Sequence, residues 1–325
     1  MDRNLALEFV RVTEEAAIAA ARWMGKGDKN AADQAAVTLM RKKFDSLDID
    51  GTIVIGEGEI DEAPLLYQGE KVGNGKGPKI DIAVDPLECT DSVAYGRPNA
   101  ISVFAAGPHG TLLGAPDSYM NKIAVGPAAK GKIDLDWTPA ENIKAVAKAL
   151  GKEVEDVTVV VLDRERHQKL IQDVRNAGAR LMLITDGDIA GGIATCLDYS
   201  EVDLLLGVGK APEGVITAAA LKCMDGEIQG RFTFKNEAER KNAIEKGLSN
   251  TEKKYYTDDL AKGDDVMFAA TGIATGLLLE GIKFTSTGAI THSLVMRSKS
   301  KTIRFIKAIH HLDHEEHKKQ VLGKG

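Results

Sequence analysis

A chain of 325 residues, 43% hydrophobic and 28% charged, has the composition of a globular protein and the length for two packed domains or one large α/β unit. Its formal net charge of −6 speaks against a general nucleic-acid-binding surface but leaves room for a local basic pocket. The acid-bearing amphipathic start is neither a signal nor a transit peptide, no apolar run nears the roughly 20 residues of a membrane span, and Cys89, Cys196 and Cys223 form no C-x-x-C pair. A cytoplasmic protein with reduced thiols, free of membrane and nucleic-acid partners, is therefore expected.

In chain order, helical apolar spacing through Leu5, Leu7, Phe9 and Val10 and an Ala-rich run predicts a helix from 3 to about 24, and a second runs from about Ala31. G-T-I-V-I-G and K-I-D-I-A-V-D read as strands, the latter ending at Asp85 before a tight turn at Pro86. The segment from Asn99 reads as a hairpin turning at Gly107 to Gly110, and a helix starts near Thr138 with Pro139 in its first turn. From Val157 strands alternate with helices: V-T-V-V-V-L, the helix after His167, A-R-L-M-L-I, D-L-L-L-G-V-G and the helix of A-P-E-G-V. This texture predicts a largely parallel sheet with ligand-facing residues at strand C-terminal ends. The change in texture places a domain boundary near 150, giving an N-terminal α+β domain, 1–150, and a C-terminal α/β domain, 151–325. After about 265 the chain returns to β texture, and H-H-L-D-H-E-E-H-K-K reads as a polar helical tail.

Five groups of residues carry candidate chemistry. D-P-L-E-C-T sets Asp85 and Glu88 three apart with a hydroxyl at Thr90, a set of hard oxygen donors suited to Mg²⁺ or Mn²⁺; alone it is equally an exposed acidic turn. G-E-G-E-I-D-E-A-P places Glu57, Glu59, Asp61 and Glu62 after a buried strand, with glycines freeing the backbone around Glu57. G-K-G-D-K-N-A-A-D puts Asp33 just after Lys26 and Lys29 at a helix start, where caps and dipole partners are also common. G-K-A-P-E-G-V opens a helix with Glu213, and its glycines do not match a dinucleotide fingerprint. D-R-E-R and T-D-G-D, at consecutive strand ends, offer Arg164 and Arg166 to a distal phosphate and Asp186 and Asp188 to sugar hydroxyls; ion pairing between them is the plainer alternative. His310, His311, His314 and His317 imitate a helical metal face, but on a Lys/Glu-rich tail they read as solvated. No G-x-S-x-G elbow is present.

Taken in order, W-M-G-K-G-D-K-N-A-A-D, I-V-I-G-E-G-E-I-D-E-A-P, D-I-A-V-D-P-L-E-x-T, V-V-V-L-D-R-E-R-H, I-T-D-G-D and A-P-E-G-V cover nearly the whole chain. They resemble the class II fructose-1,6-bisphosphatases of the lithium-sensitive, metal-dependent sugar and inositol phosphatase superfamily. The resemblance implies a two-domain layered αβαβα sandwich, the hydrolysis of the 1-phosphate of D-fructose 1,6-bisphosphate in gluconeogenesis, and a Mn²⁺ or Mg²⁺ cofactor. It implies Asp33 and Glu57 on one metal and Asp85, Glu88 and Glu213 on another, with Thr90, Asp61 and Lys29 catalytic. Substrate contacts carried over are Glu88, Cys89, Thr90, Tyr119, Arg164, Glu165, Arg166, Asp186, Gly187, Asp188 and Lys210. The expected partner is a sugar bisphosphate, and a homo-oligomer, dimer or tetramer, is expected.

Two positions depart from that family's pattern, which usually has Gly at 89 and a small residue at 210. A positive φ at 89 would make Cys cost something like 1 kcal/mol there. The alternatives are a broader sugar bisphosphatase that also takes sedoheptulose 1,7-bisphosphate, an inositol-phosphate-type monoesterase, or a silenced sugar-phosphate-binding protein with Cys89 as its lesion.

Overall fold

The computed structural model describes Met1 and residues 5–58, 64–245, 248 and 250–312. The chain begins with α1 (Leu5–Ala21), α2 (Lys29–Phe44), β1 (Asp50–Ile55), β2 (Lys71–Val72), β3 (Lys79–Glu88), α3 (Thr90–Tyr95) and β4 (Ile101–Pro108). It continues through β5 (Tyr119–Val125), α4 (Pro139–Leu150), β6 (Thr158–Leu162), α5 (Gln168–Asn176), β7 (Arg180–Ile184), α6 (Asp188–Ala194), β8 (Leu204–Lys210) and α7 (Ala211–Cys223). Then come β9 (Glu227–Thr233), α8 (Glu237–Glu245), β10 (Tyr255–Tyr256), α9 (Thr257–Leu260), β11 (Met267–Gly272), β12 (Lys283–Thr285), β13 (Gly288–Arg297) and β14 (Thr302–His311). The class is mixed α/β with two mixed sheets, in line with the expected α/β sandwich.

Two compact units divide the chain, Met1–Gly110 together with the strands from Asp265 onward, and Thr111–Asp264. The division anticipated near residue 150 thus falls inside the second unit, between α4 and β6. The cause is the return of the chain: β11 pairs with β4 on one side and β13 on the other, so the late strands complete the first sheet. The anticipated hairpin after Asn99 is absent for the same reason. Strand β4 already has β3 and β11 as neighbours, and beyond Gly110 the chain leaves the sheet, Leu112 bridging to Ala261.

In the first unit the sheet order is β12-β13-β11-β4-β3-β1-β2, with β14 also on β13. Helix α1 packs on α2 and on β13, β11, β4 and β3. Its fully buried Ala16, Ala17, Ala19 and Ala20 let the helix approach closely, and Phe9 and Phe44 meet Phe104 edge-on with ring centroids 5.0 and 5.4 Å away. Between α1 and the sheet, buried Glu14 accepts from the Thr291 hydroxyl at 2.8 Å, and His310 Nε2 lies 3.0 Å from that hydroxyl and 3.5 Å from Glu14. His310 and His311 therefore belong to strand β14 rather than a helical tail, which removes the helical spacing of the His group; His314 and His317 lie outside the described residues.

In the second unit the order is β10-β9-β5-β8-β6-β7. Only β6 with β7 and β6 with β8 are parallel, where α5 and α6 supply the crossovers; β5 is antiparallel to both β8 and β9. The sheet is therefore mixed where a largely parallel one was expected. Helix α4 begins as anticipated: Thr138 and Glu141 form a reciprocal capping box with Pro139 at the first position, and Ile143 and Val146 enter a core with Val159, Val161, Ile171 and Val174.

Glu14 raises the His310 pKa above its ordinary value, chiefly through their hydrogen bond, against the opposing effect of burial. A raised folded-state pKa stabilises the fold fully below about pH 6.5 and no longer does so once the pH passes the folded value. Urea unfolding of the wild type and of His310→Gln should therefore differ more at pH 5.5 than at pH 9; an equal gap at both would remove this role.

Candidate active site

Strand β3 runs on through Pro86 instead of turning there. Asp85 pairs with Val103 and Glu88 with Ile101, so three steps on β3 oppose two on β4. In an unbroken strand residues three apart face opposite sides; the extra residue of a bulge returns them to one side. Carboxylate oxygens of Asp85 and Glu88 accordingly lie within 4.8 Å of each other. Pro86 has no N–H to contribute and fits the bulge, while the Leu87 amide donates to Asp85 Oδ1 at 3.2 Å.

Helix α2 brings a third acid. Asp28 caps the helix by accepting from the Ala31 amide at 2.9 Å, which starts the helix at Lys29 and sets Asp33 one turn in. Burial, and then the neighbouring charge of Asp85, push the Asp33 carboxyl up to about 6. Lys29 pairs with Asp91 at 3.6 Å, both side chains being more than half exposed. Glu57 follows β1 on a backbone that only glycine permits. A Cβ at Gly56 would overlap the Leu66 carbonyl, the Glu57 amide donates to that carbonyl at 3.0 Å, and Gly58 has φ 140°. Asp61, with Glu59 and Glu62, lies outside the described residues.

Cys89 is buried with φ 74° and ψ 55°, in the left-handed region, immediately before Thr90 at the start of α3. The position thus demands what glycine supplies without strain, and the thiol is carried in spite of it.

The second unit holds the candidate arginines. The Arg166 guanidinium donates through Nε and Nη2 to the Val208 carbonyl at 3.0 and 2.8 Å, and its Cζ lies 5.2 Å from the Tyr119 ring centroid. Lys235 Nζ stands 5.1 Å from the same ring, a cation that the sequence pattern did not single out. His167 was also missed. Its Nε2 accepts from the Val208 amide at 2.8 Å, so the proton sits on Nδ1, 2.8 Å from the Leu162 carbonyl; burial lowers its pKa and keeps the ring neutral. Glu165 is exposed in the turn between Arg164 and Arg166.

Arg164 and Asp186 form the ion pair weighed as the plainer reading, at 3.8 Å, with both side chains about 40% exposed and so able to exchange each other for a ligand. Gly187 has φ 90° and leads into Asp188, which opens α6. Tyr119 and Lys210 are paired across β5 and β8, and Lys210 Nζ lies 3.2 Å from Asp117. Glu213 sits in the first turn of α7, after Pro212.

Clustered, partly buried carboxylates in the first unit and the neighbouring Arg164 and Arg166 in the second, the latter anchored to a strand, define a protein equipped for a divalent cation and a phosphate-bearing ligand. Sequence comparison agrees: residues 3–310 match the family model for bacterial, glpX-encoded fructose-1,6-bisphosphatase. The chain belongs to this family. It is 48% identical, over 99% of both chains, to fructose-1,6-bisphosphatase 1 class 2 of Escherichia coli strain K12, and equally to the class 2 enzymes of Escherichia coli O6:H1 and Shigella flexneri.

Because Asp85 is one of the two causes acting on Asp33, Asp85→Asn should lower the Asp33 pKa in metal-free protein, though burial will hold it above the ordinary carboxylate range. Carbon-detected NMR titration reads this directly, and an unmoved value would rule out the coupling. At position 89, Cys89→Gly should stay within about 1 kcal/mol of wild-type stability, whereas Cys89→Val, β-branched at positive φ, should lose about 1–2 kcal/mol. Equal stability of the two variants in chemical denaturation would mean that φ at 89 relaxes freely.

Proposed function

We propose that the protein hydrolyses the 1-phosphate of D-fructose 1,6-bisphosphate to fructose 6-phosphate and inorganic phosphate, using Mn²⁺ or Mg²⁺. The observation that carries this reading is the group of Asp33, Asp85 and Glu88: the oxygens of Asp85 and Glu88 lie together, and burial and the charge of Asp85 oppose the ionisation of Asp33. A bound cation relieves that opposition, and all-oxygen donors favour a hard divalent ion. The full-length likeness to class 2 enzymes named for this substrate supports the choice of sugar. The same proposal has the protein act in the cytoplasm, in gluconeogenesis, as a homo-oligomer.

In this mechanism Asp33 and Glu57 would hold one cation, and Asp85, Glu88 and Glu213 would hold a second. When bound, such ions screen the phosphate charge and make water a better nucleophile. The Thr90 hydroxyl orients the attacking water for an in-line approach, Asp61 accepts its proton, and Lys29 exchanges Asp91 for the charge that develops on the phosphoryl oxygens. Arg164 and Arg166 receive the 6-phosphate. Two of the Arg166 N–H groups are committed to Val208, which aims the remainder, and the Tyr119 ring lies within cation–π range of its guanidinium. Asp186 and Asp188 accept from sugar hydroxyls, Gly187 permits the turn between them, and Glu165, Cys89 and Lys210 complete the contacts through their backbones.

Phosphate release should be measured with each metal against fructose 1,6-bisphosphate, sedoheptulose 1,7-bisphosphate, fructose 6-phosphate and an inositol monophosphate. The highest kcat/KM is expected for fructose 1,6-bisphosphate, with a chelator abolishing turnover, and Glu57→Ala and Thr90→Ala should each reduce kcat by at least about 100-fold. Tight binding of sugar bisphosphate without phosphate release would instead mark a silenced protein. Retained activity in either variant would remove the role assigned to that residue.

A further inference from the structure

Strand β5 carries a lysine where an interior strand rarely has one. The side chain of Lys122 is 2% exposed. Its paired neighbours on both flanking strands are glycines, Gly207 on β8 and Gly230 on β9, which leaves its stem uncrowded by cross-strand side chains. The ammonium lies 2.5 Å from Asp188 Oδ2 and donates to the main-chain carbonyl of Lys210 at 3.0 Å. Gly209 keeps this space open, since a Cβ there would overlap Asp188 Oδ2 and crowd Lys122 Nζ. Asp188 also lines a small cavity whose other walls include the aliphatic side chains of Val160, Leu162, Ile184 and Leu205, which offer no hydrogen bond. A buried ammonium and a buried carboxylate are each expensive alone, and the glycines around this pair accommodate it where an apolar pair would pack as well.

We propose that Lys122 is a positioning residue for substrate recognition: it fixes Asp188 by holding Oδ2 and so presents Oδ1 to a sugar hydroxyl, with the Lys210 carbonyl serving as the second anchor of the ammonium. The inference rests on the reading of Asp188 as a substrate contact and deepens it, because it states what holds that contact in place. Lys122 itself touches no substrate. Its effect runs through Asp188, and therefore falls on the binding of the sugar rather than on the attack at phosphorus.

The test uses the full chain and its Lys122→Met, Asp188→Asn and doubly substituted variants, assayed for phosphate release from fructose 1,6-bisphosphate with Mn²⁺ and by thermal melting. Wild-type turnover is the control on the functional reading; its absence would refute that reading and not the role of Lys122. Lys122→Met is expected to raise KM about tenfold with kcat within about twofold of wild type, and the double variant to share the KM of Asp188→Asn. The double variant should also melt above Lys122→Met, because the unpaired buried carboxylate is gone. A folded Lys122→Met with wild-type KM would overturn the proposal. If Lys122→Met does not fold, the neutralised double variant decides: a KM about tenfold above that of Asp188→Asn would show that Lys122 acts independently, and would equally overturn it.

Discussion

Like charges held close are the constraint on which the rest of this protein turns. Asp33 from α2 is buried enough, and near enough to Asp85 from β3, that both its burial and the charge of Asp85 oppose its ionisation, and Glu88 is folded onto the side of Asp85 by a single extra residue in the strand. No packing advantage follows from such an arrangement. The bulge at Pro86, the Asp28 cap that registers α2, and the glycines that thread Glu57 past Leu66 are all local departures from the simplest helix or strand, and they act together on one group of oxygens. A fold commonly accepts this kind of strain where a ligand resolves it.

The second unit has a different task, holding the Arg166 guanidinium in place beside a sheet. Its answer is to anchor that group to the backbone. Arg166 spends two donors on the Val208 carbonyl, and His167 takes the Val208 amide while bonding back to Leu162. The loop after β6 is thereby tied to β8, and a Cβ at Gly207 would press on the His167 ring. A guanidinium held in this way loses little further freedom on receiving a phosphate, which favours affinity through preorganisation.

Much of this was legible from residue order, and the exceptions share one cause. Asp85, Glu88 and Thr90 stand out because oxygen donors cluster in a few consecutive residues, and the capped start of α4 is written in T-P-A-E. What a short stretch does not show is which distant segment will lie beside it. The parity that brings Asp85 and Glu88 to one side depends on pairing with β4, and the hairpin read after Asn99 fails because β11, far along the chain, takes the edge of β4. The strand character of His310 likewise follows from its partner β13, and the burial of Lys122 from glycines on β8 and β9. The boundary at 150 was read from a change of texture, whereas the units are set by which strands share a sheet.

The placement of β11 between β4 and β13 also bears on the order in which the chain can acquire structure as it is made. The second unit is an insertion, complete by Asp264, while the first sheet lacks its middle until β11 has been synthesised. Emerging N-terminus first, the chain can therefore close the second unit while β4 still presents an open edge. The unit that carries Asp33, Asp85 and Glu88 begins first on the ribosome and is finished last.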